Sequence, residues 1–251
     1  MNPVKRQYIS EILLREPLAH PSYLTNIPAV QHLIREKTLP ITEDVTIFVG
    51  ENGTGKSTLI EAIAVAFGFN AEGGSRNFQF STADTHSELS KYLLLAKHDY
   101  PRDGFFLRAE SYYNVASYID EVDRQPAAAP PIISGYGGVS LHEQSHGESF
   151  MALVQHRFSG HGLYILDEPE AALSPSRILT LIAEMSRLVK CGSQFIMATH
   201  SPLLMAFPRA CIYQVTQNGI ERVDYRDTEH YCITRSFLEN PEKMLRTLLE
   251  E

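Results

Sequence analysis

The sequence predicts an α/β fold: a buried, largely parallel sheet flanked by helices and carrying a phosphate-binding loop. Three observations predict it. The β-branched run Val45-Thr-Ile-Phe-Val49 is followed at once by Gly50-Glu-Asn-Gly-Thr-Gly-Lys-Ser57 and then by a helix-forming stretch. A second apolar run, Leu163-Tyr-Ile-Leu166, ends in Asp167-Glu168. A third, Gln194-Phe-Ile-Met-Ala-Thr199, ends at His200. Apolar runs of this length without helical period fit strands buried on both faces.

The elements follow in order. Residues 1–49 read as short β-like runs broken by Pro17, Pro21, Pro28 and Pro40, the last run being Val45–Val49. Thr58–Phe67 has good helix formers, apolar spacing of three and four, and a stop at Gly68. Residues 69–85 read as loop. Residues 86–99 predict a helix with Leu89, Tyr92, Leu93 and Ala96 on one face, and Gly104–Ala109 a short strand. Residues 111–122 predict a helix, and Gln125-Pro-Ala-Ala-Ala-Pro-Pro131 a stiff linker. Residues 148–158 return to helical spacing, and 175–190 predict an amphipathic helix with Pro175 in its first turn and Gly192 past its end. Cys211–Val215 and Ile220–Val223 predict a hairpin around Asn218-Gly219. The tail predicts helix, with Asn240 as cap and Pro241 at the first position. The expected organisation is one domain over 1–251 with an inserted small helical lobe at about 81–147.

Composition bounds the function. A chain of 251 residues with 43% hydrophobic residues can build a sizeable core. The 22 Lys and Arg stand against 30 Asp and Glu, a formal charge of −8, which argues against a general nucleic-acid coat protein. Cys191, Cys211 and Cys232 are widely spaced and odd in number, so they predict buried reduced thiols and neither a disulfide framework nor a zinc site. No run of 18 apolar residues and no apolar signal core is present, so the chain is expected to be cytoplasmic and not inserted in a membrane.

The glycine loop predicts nucleotide binding. Gly50, Gly53 and Gly55 let successive backbone N–H groups turn inward on phosphates, with Glu51, Asn52 and Thr54 between them. Lys56 supplies a point charge for the β- and γ-phosphates, and Ser57 a hydroxyl for Mg²⁺. The helix starting there, through Thr58, turns its positive end to the same anion. Asp167 and Glu168 then sit at the carboxyl end of a strand, where parallel α/β sheets bind ligands. Asp167 would hold Mg²⁺, and Glu168 would orient or deprotonate the attacking water.

These residues resemble the ATP-binding-cassette ATPases over most of the chain. That resemblance implies a P-loop NTPase fold with a mixed sheet, ATP and Mg²⁺ as ligands, and ATP hydrolysis. The family signature, Leu-Ser-Gly-Gly-Gln, corresponds to Gln144-Ser145-His146-Gly147-Glu148, with Gly147 lying 20 residues before Asp167. Ser145 and Gly147 agree with it; His146 and Glu148 depart, and Glu148 must face away from a γ-phosphate bound there. The same residues fit a Ser-capped helix start with Glu148 completing a capping box. Ala172-Leu173-Ser174-Pro175 resembles the loop that crosses the dimer interface, with Ser174 as its contact. His200, 32 residues after Glu168, resembles the switch histidine. Gln79 resembles the Mg²⁺-contacting glutamine, although it comes early, 23 residues after Lys56. Tyr8 and Tyr23 are both candidates to stack on adenine.

Only 89 residues separate Lys56 from Ser145, and no heptad run occurs, which excludes a long coiled-coil arm. The wording around Ser145, Glu168 and His200 looks more like predicted ATPases near the RecF and OLD-type group than like transporter subunits, without room for a Toprim nuclease. The resemblance implies an ATP-dependent head-to-tail homodimer that switches a protein partner or acts on nucleic acid. DNA repair or defence is suggested by the relatives alone, and charge does not support nucleic acid. A transporter ATP-binding subunit and an interaction module with little turnover are the alternatives.

Overall fold

The computed structural model describes residues 7–15, 23–76, 87–108, 112–124 and 130–249. Its centre is a six-stranded sheet in the order β5-β6-β7-β3-β8-β9, formed by β3 (Val45–Val49), β5 (Asp103–Arg108), β6 (Gly162–Asp167), β7 (Gln194–Ala198), β8 (Cys211–Thr216) and β9 (Gly219–Val223). All neighbouring pairs are parallel except the β8–β9 hairpin. A smaller antiparallel sheet has the order β2-β1-β4, from β1 (Glu11–Leu14), β2 (Thr38–Pro40) and β4 (Leu93–Ala96).

Every residue of β3, β6 and β7 is buried. Alternation along these strands feeds two apolar cores. One face, with Phe48, Ile165 and Ile196, packs with α1 (Pro28–Glu36), α2 (Lys56–Phe67) and the small sheet. The other, with Tyr164, Leu166, Phe195 and Met197, packs with α3 (Tyr112–Asp123), α4 (His146–Ala152), α5 (Pro175–Lys190) and α6 (Pro202–Met205). The chain closes with α7 (Glu229–Glu239) and α8 (Pro241–Leu249).

Four local expectations meet a different structure. The segment 86–99 is not a helix: a 3-10 turn at Glu88–Tyr92 leads into β4, in which Leu93 and Leu95 are buried while Leu94 is 52% exposed. Pairing with β1 imposes a period of two on residues whose spacing also suits a helix. Within 1–49, Pro28 does not break a strand but opens α1 at a position where its missing N–H costs nothing. Of the cysteines, Cys211 is buried, whereas Cys191 and Cys232 are exposed. Among the described residues of 81–147, expected as a helical lobe, β4 and β5 precede α3, the first α-helix there. Most of the expected linker, 125–129, lies outside the described residues.

Candidate functional site

The glycine loop joins β3 to α2 with left-handed backbone at Gly53 (φ +81°) and Gly55 (φ +96°). A Cβ at Gly55 would come within 2.2 Å of Ile27 Cγ2, so the loop is seated directly on the residue preceding α1. Ala29 N also donates to Thr54 O at 3.1 Å, and Thr54 Oγ1 to Glu51 O at 2.8 Å. Lys56 is buried, and its Nζ donates to Gly50 O (2.7 Å) and Glu51 O (2.8 Å) at the mouth of the loop. Burial lowers its pKa, opposed by Glu168, Asp167, Glu170 and Glu51.

The strand order β6-β7-β3 brings three strand ends together. Asp167, 5% exposed, ends β6 beside Arg108 of β5 and Ala198 of β7. Glu168 follows with φ 49° and ψ 53°, left-handed backbone for a non-glycine residue. Its N–H donates to Ala198 O at 3.0 Å, which holds this conformation. Strain of this kind concentrates at functional sites. His200, just past β7, places Nε2 3.6 Å from Glu168 Oε1 and Nδ1 2.9 Å from His230 Nε2. The His200 N–H donates to Glu170, whose carboxyl is pushed up by burial. Burial, and after it the Lys56 charge, lowers the His200 pKa against the pull of Glu168.

Two cavities share Ser57 and Glu168. One, about 340 Å³, is lined by Ile27, Asn52, Gly53, Gly55, Lys56, Ser57, Thr58 and Glu168. The other, about 230 Å³, is lined by Ser57, Arg108, His146, Asp167, Glu168, Ala171 and Ala172. Arg108 is the cation of the second. Its Nη1 lies 2.6 Å from Glu61 Oε2 and its Nε 3.7 Å from Asp167 Oδ2. Among the described residues no three His, Cys, Asp or Glu side chains converge as a metal cage. The oxygen donors Ser57 and Asp167 beside a phosphate loop fit Mg²⁺, which takes few protein ligands and shares the rest with phosphates and water.

The signature segment is more constrained than its sequence suggests. Ser145 caps α4, and both its N–H (3.0 Å) and its Oγ (2.6 Å) donate to Glu148 Oε2. Arg177 from α5 lies 3.3 Å from Glu148 Oε1 and 3.5 Å from Ser145 Oγ. Glu148 is thus folded back on its own cap. A Cβ at Gly147 would lie 2.3 Å from Arg177 Nη1 and 3.0 Å from Ala172 O, so glycine lets α4 pack against the turn after Glu168. Of the four residues only His146 lines the cleft that holds Ser57 and Asp167. Ser174 is exposed and caps α5, its Oγ accepting from Arg177 N at 3.4 Å.

Gln79 lies outside the described residues. Tyr8 does not reach the cleft: its hydroxyl donates to Gly192 O, at the end of β7 opposite the phosphate loop. Tyr23, 64% exposed, stands in the 3-10 turn Tyr23–Asn26 just before Ile27. Sequence reasoning missed Arg108, Glu170, Arg177 and His230. For Arg108 a signal existed, a charged residue near the end of an apolar strand at the same sheet edge as Asp167. For His230 there was none.

A phosphate loop and an acidic strand end on this sheet define a P-loop nucleotide hydrolase. The comparisons narrow the class. Residues 27–113 match an AAA-domain model, and residues 133–206 match a second AAA-domain model, named for the AbiEii toxin of type IV toxin–antitoxin systems. The chain is 27% identical over 168 residues, 62% of its length and 78% of the relative's, to the cytochrome c biogenesis ATP-binding export protein CcmA of Aliivibrio fischeri. It superimposes on an ABC transporter described as of metal-chelate type, in an inward-facing conformation, with TM-score 0.50, 12% identity and coverage of 91% of this chain and 88% of that one. CbiO1 of Clostridium perfringens, part of the transporter complex cbiONQ, matches with TM-score 0.48, 14% identity and coverage of 98% and 100%. Site, fold and the two AAA-domain matches together support a P-loop ATPase, an ATP hydrolase, with a fold like that of the ATP-binding cassettes. Among the described residues no helix is long and apolar enough to cross a membrane.

Proposed function

We propose that two copies of this chain bind head to tail and enclose Mg-ATP between them, and that hydrolysis releases the pair. In one copy, Gly50–Thr58 would cradle the phosphates, with Lys56 on the β- and γ-phosphates. Ser57 and Asp167 would hold Mg²⁺, which neutralises phosphate charge. Glu168 would orient the water, and His200 would contact the γ-phosphate. Tyr23 would stack on adenine. In the other copy, Ser145, His146, Gly147 and Ser174 would complete the site. Catalysis of this kind rests on positioning and charge stabilisation.

One observation carries the reading. The phosphate-loop cavity is walled on one side by Ile27, the loop and Glu168, while Ser145 and Gly147 of the same chain do not line it. Ser145 and Ser174 are exposed and available to a second copy, and His146, exposed at the rim of its own chain's cleft, stands next to them. Glu148 must then swing off Ser145, which Arg177 can assist by holding the carboxylate. The nucleotide acts as a switch on a two-state interface, and the cycle would drive a protein partner. The 27% identity to an export ATPase favours a second reading, an ATP-binding subunit docked on a membrane protein. Co-purification with a membrane protein would support it.

The test is Glu168→Gln with ATP and Mg²⁺, followed by light scattering on gel filtration. The expected result is a stable species of twice the 28.2 kDa chain mass with no phosphate release. A variant that binds ATP and stays monomeric would overturn the composite site.

A further inference from the structure

His200 is held by more than its own strand end. His230, the second residue of α7, reaches it from 30 residues away, with Nδ1 of His200 2.9 Å from Nε2 of His230 and ring centroids 5.1 Å apart at 57°. The first turn of α7 is anchored. Thr228, fully buried, caps it by accepting from Tyr231 N and donates to Tyr225 O at 2.8 Å, and the Tyr225 and Tyr231 rings meet at 4.6 Å. The other nitrogen of His200, Nε2, is buried without a hydrogen-bond partner and faces the site, 3.6 Å from Glu168.

At 2.9 Å the two rings share one proton, and its placement decides what His200 can do. If His200 Nδ1 donates, its Nε2 presents a lone pair to the Glu168 carboxylate and to an anionic phosphate, which is repulsive. If His230 Nε2–H donates, the His200 proton sits on Nε2 and points into the site, where it can donate a hydrogen bond to a γ-phosphate oxygen or to the oxygen of the attacking water.

We propose that His230 is a positioning residue for His200, donating to Nδ1 and thereby fixing the proton on Nε2 and the plane of the ring. The proposal rests on the ATPase reading above and adds to it the orienting partner that a functional histidine requires. Burial lowers the basicity of both rings. Lys56 lowers His200 further and His200 lowers His230, against Glu168 for the first and Glu229 and Glu170 for the second. Both shifts favour the neutral rings, in keeping with a single proton between them.

Three substitutions separate orientation from bulk. His230→Gln keeps an N–H where Nε2 stands. His230→Glu has the same length but, ionised, only accepts. His230→Leu does neither. Long-range ¹H–¹⁵N spectra of the nucleotide-free protein report which nitrogen of His200 carries the proton, with the signal assigned by His200→Gln. The expected result is Nε2–H in the wild type and in His230→Gln, and Nδ1–H in His230→Glu. Turnover should follow: His230→Leu and His230→Glu lose about tenfold or more in kcat with KM for ATP little changed, and His230→Gln stays within about threefold of wild type. A wild-type His200 protonated on Nδ1, or a His230→Leu variant with wild-type kcat, would overturn the proposal. A wild type that binds ATP but releases no phosphate, with its proton on Nε2 and moved by His230→Glu, would sink the hydrolytic reading and support the histidine pair.

Discussion

Replacing Gly50 by alanine separates two reasons for a glycine at the head of the phosphate loop. The sequence supplies one reason, freedom to turn an N–H inward. The structure adds a second: a Cβ at Gly50 would lie 2.1 Å from the Val215 carbonyl oxygen and 3.1 Å from its carbon, backbone atoms of β8. Gly50 also has φ +139°, a region that side chains avoid at a cost of ~1–3 kcal/mol. Relieving the clash needs roughly 1 Å of movement between β3 and β8. Those strands pair in parallel from Thr46–Cys211 to Val49–Gln214, so the ladder itself must shift. Overpacking against an unyielding neighbour costs ~1–3 kcal/mol, giving about 2–6 kcal/mol in all. For a chain of this size that lowers the melting temperature on the order of 10 °C. Gly53 is the control. It has φ +81° with nothing within 4 Å of its Cβ position. Only the left-handed backbone remains, about 1 kcal/mol and roughly 3 °C. Thermal unfolding of Gly50→Ala and Gly53→Ala, monitored by circular dichroism without nucleotide, measures the difference. If both melt within a few degrees of wild type, the close approach of β8 does not constrain Gly50 and the argument fails.

Two further predictions concern the rim of the sheet and the adenine. Asp103 lies 2.6 Å from Arg157 and accepts from the Tyr164 hydroxyl at 2.8 Å; burial raises its pKa, but the Arg157 charge and these hydrogen bonds outweigh it and leave the pKa below 3.8. A depressed carboxyl stabilises the fold above its unfolded pKa and loses that contribution as pH falls through the folded one. The stability gap between wild type and Asp103→Asn should therefore be constant above about pH 5 and close below about pH 4, as read from urea unfolding; a gap independent of pH would refute it. Tyr23→Ala should weaken ATP binding about tenfold by calorimetry, whereas Tyr8→Phe should leave it unchanged; the reverse order would move the adenine to the other end of the sheet.

The parts of the site legible in sequence are those whose chemistry is local. Gly50 to Ser57 is readable because a phosphate cradle, its strand and its helix are contiguous. Asp167 and Glu168 are readable because two carboxylates at the end of an apolar strand have few structural uses. The misread parts depend on partners far along the chain. Leu93 and Leu95 became strand residues because β1, some 80 positions earlier, offered an edge. Their spacing carried no trace of that. Glu148 looked like an obstruction beside Ser145, and only the position of Arg177 shows where its carboxylate goes.

The same distinction explains why the chemistry gathers at one sheet edge while its support comes from elsewhere. Lys56, Glu168 and His200 arrive from the ends of three adjacent strands, β3, β6 and β7, so their convergence follows from strand order alone. Strand ends fix backbones, not proton positions or side-chain planes. Those are set by groups from outside the sheet's centre: Ile27 beneath Gly55, Arg108 of the edge strand beside Asp167, Glu170 on the His200 N–H, and His230 on its ring. Of these, His230 stands on α7, a helix with no residue of its own buried among the described ones. Whatever docks on or displaces α7 would act on the His200 ring without touching the phosphate loop.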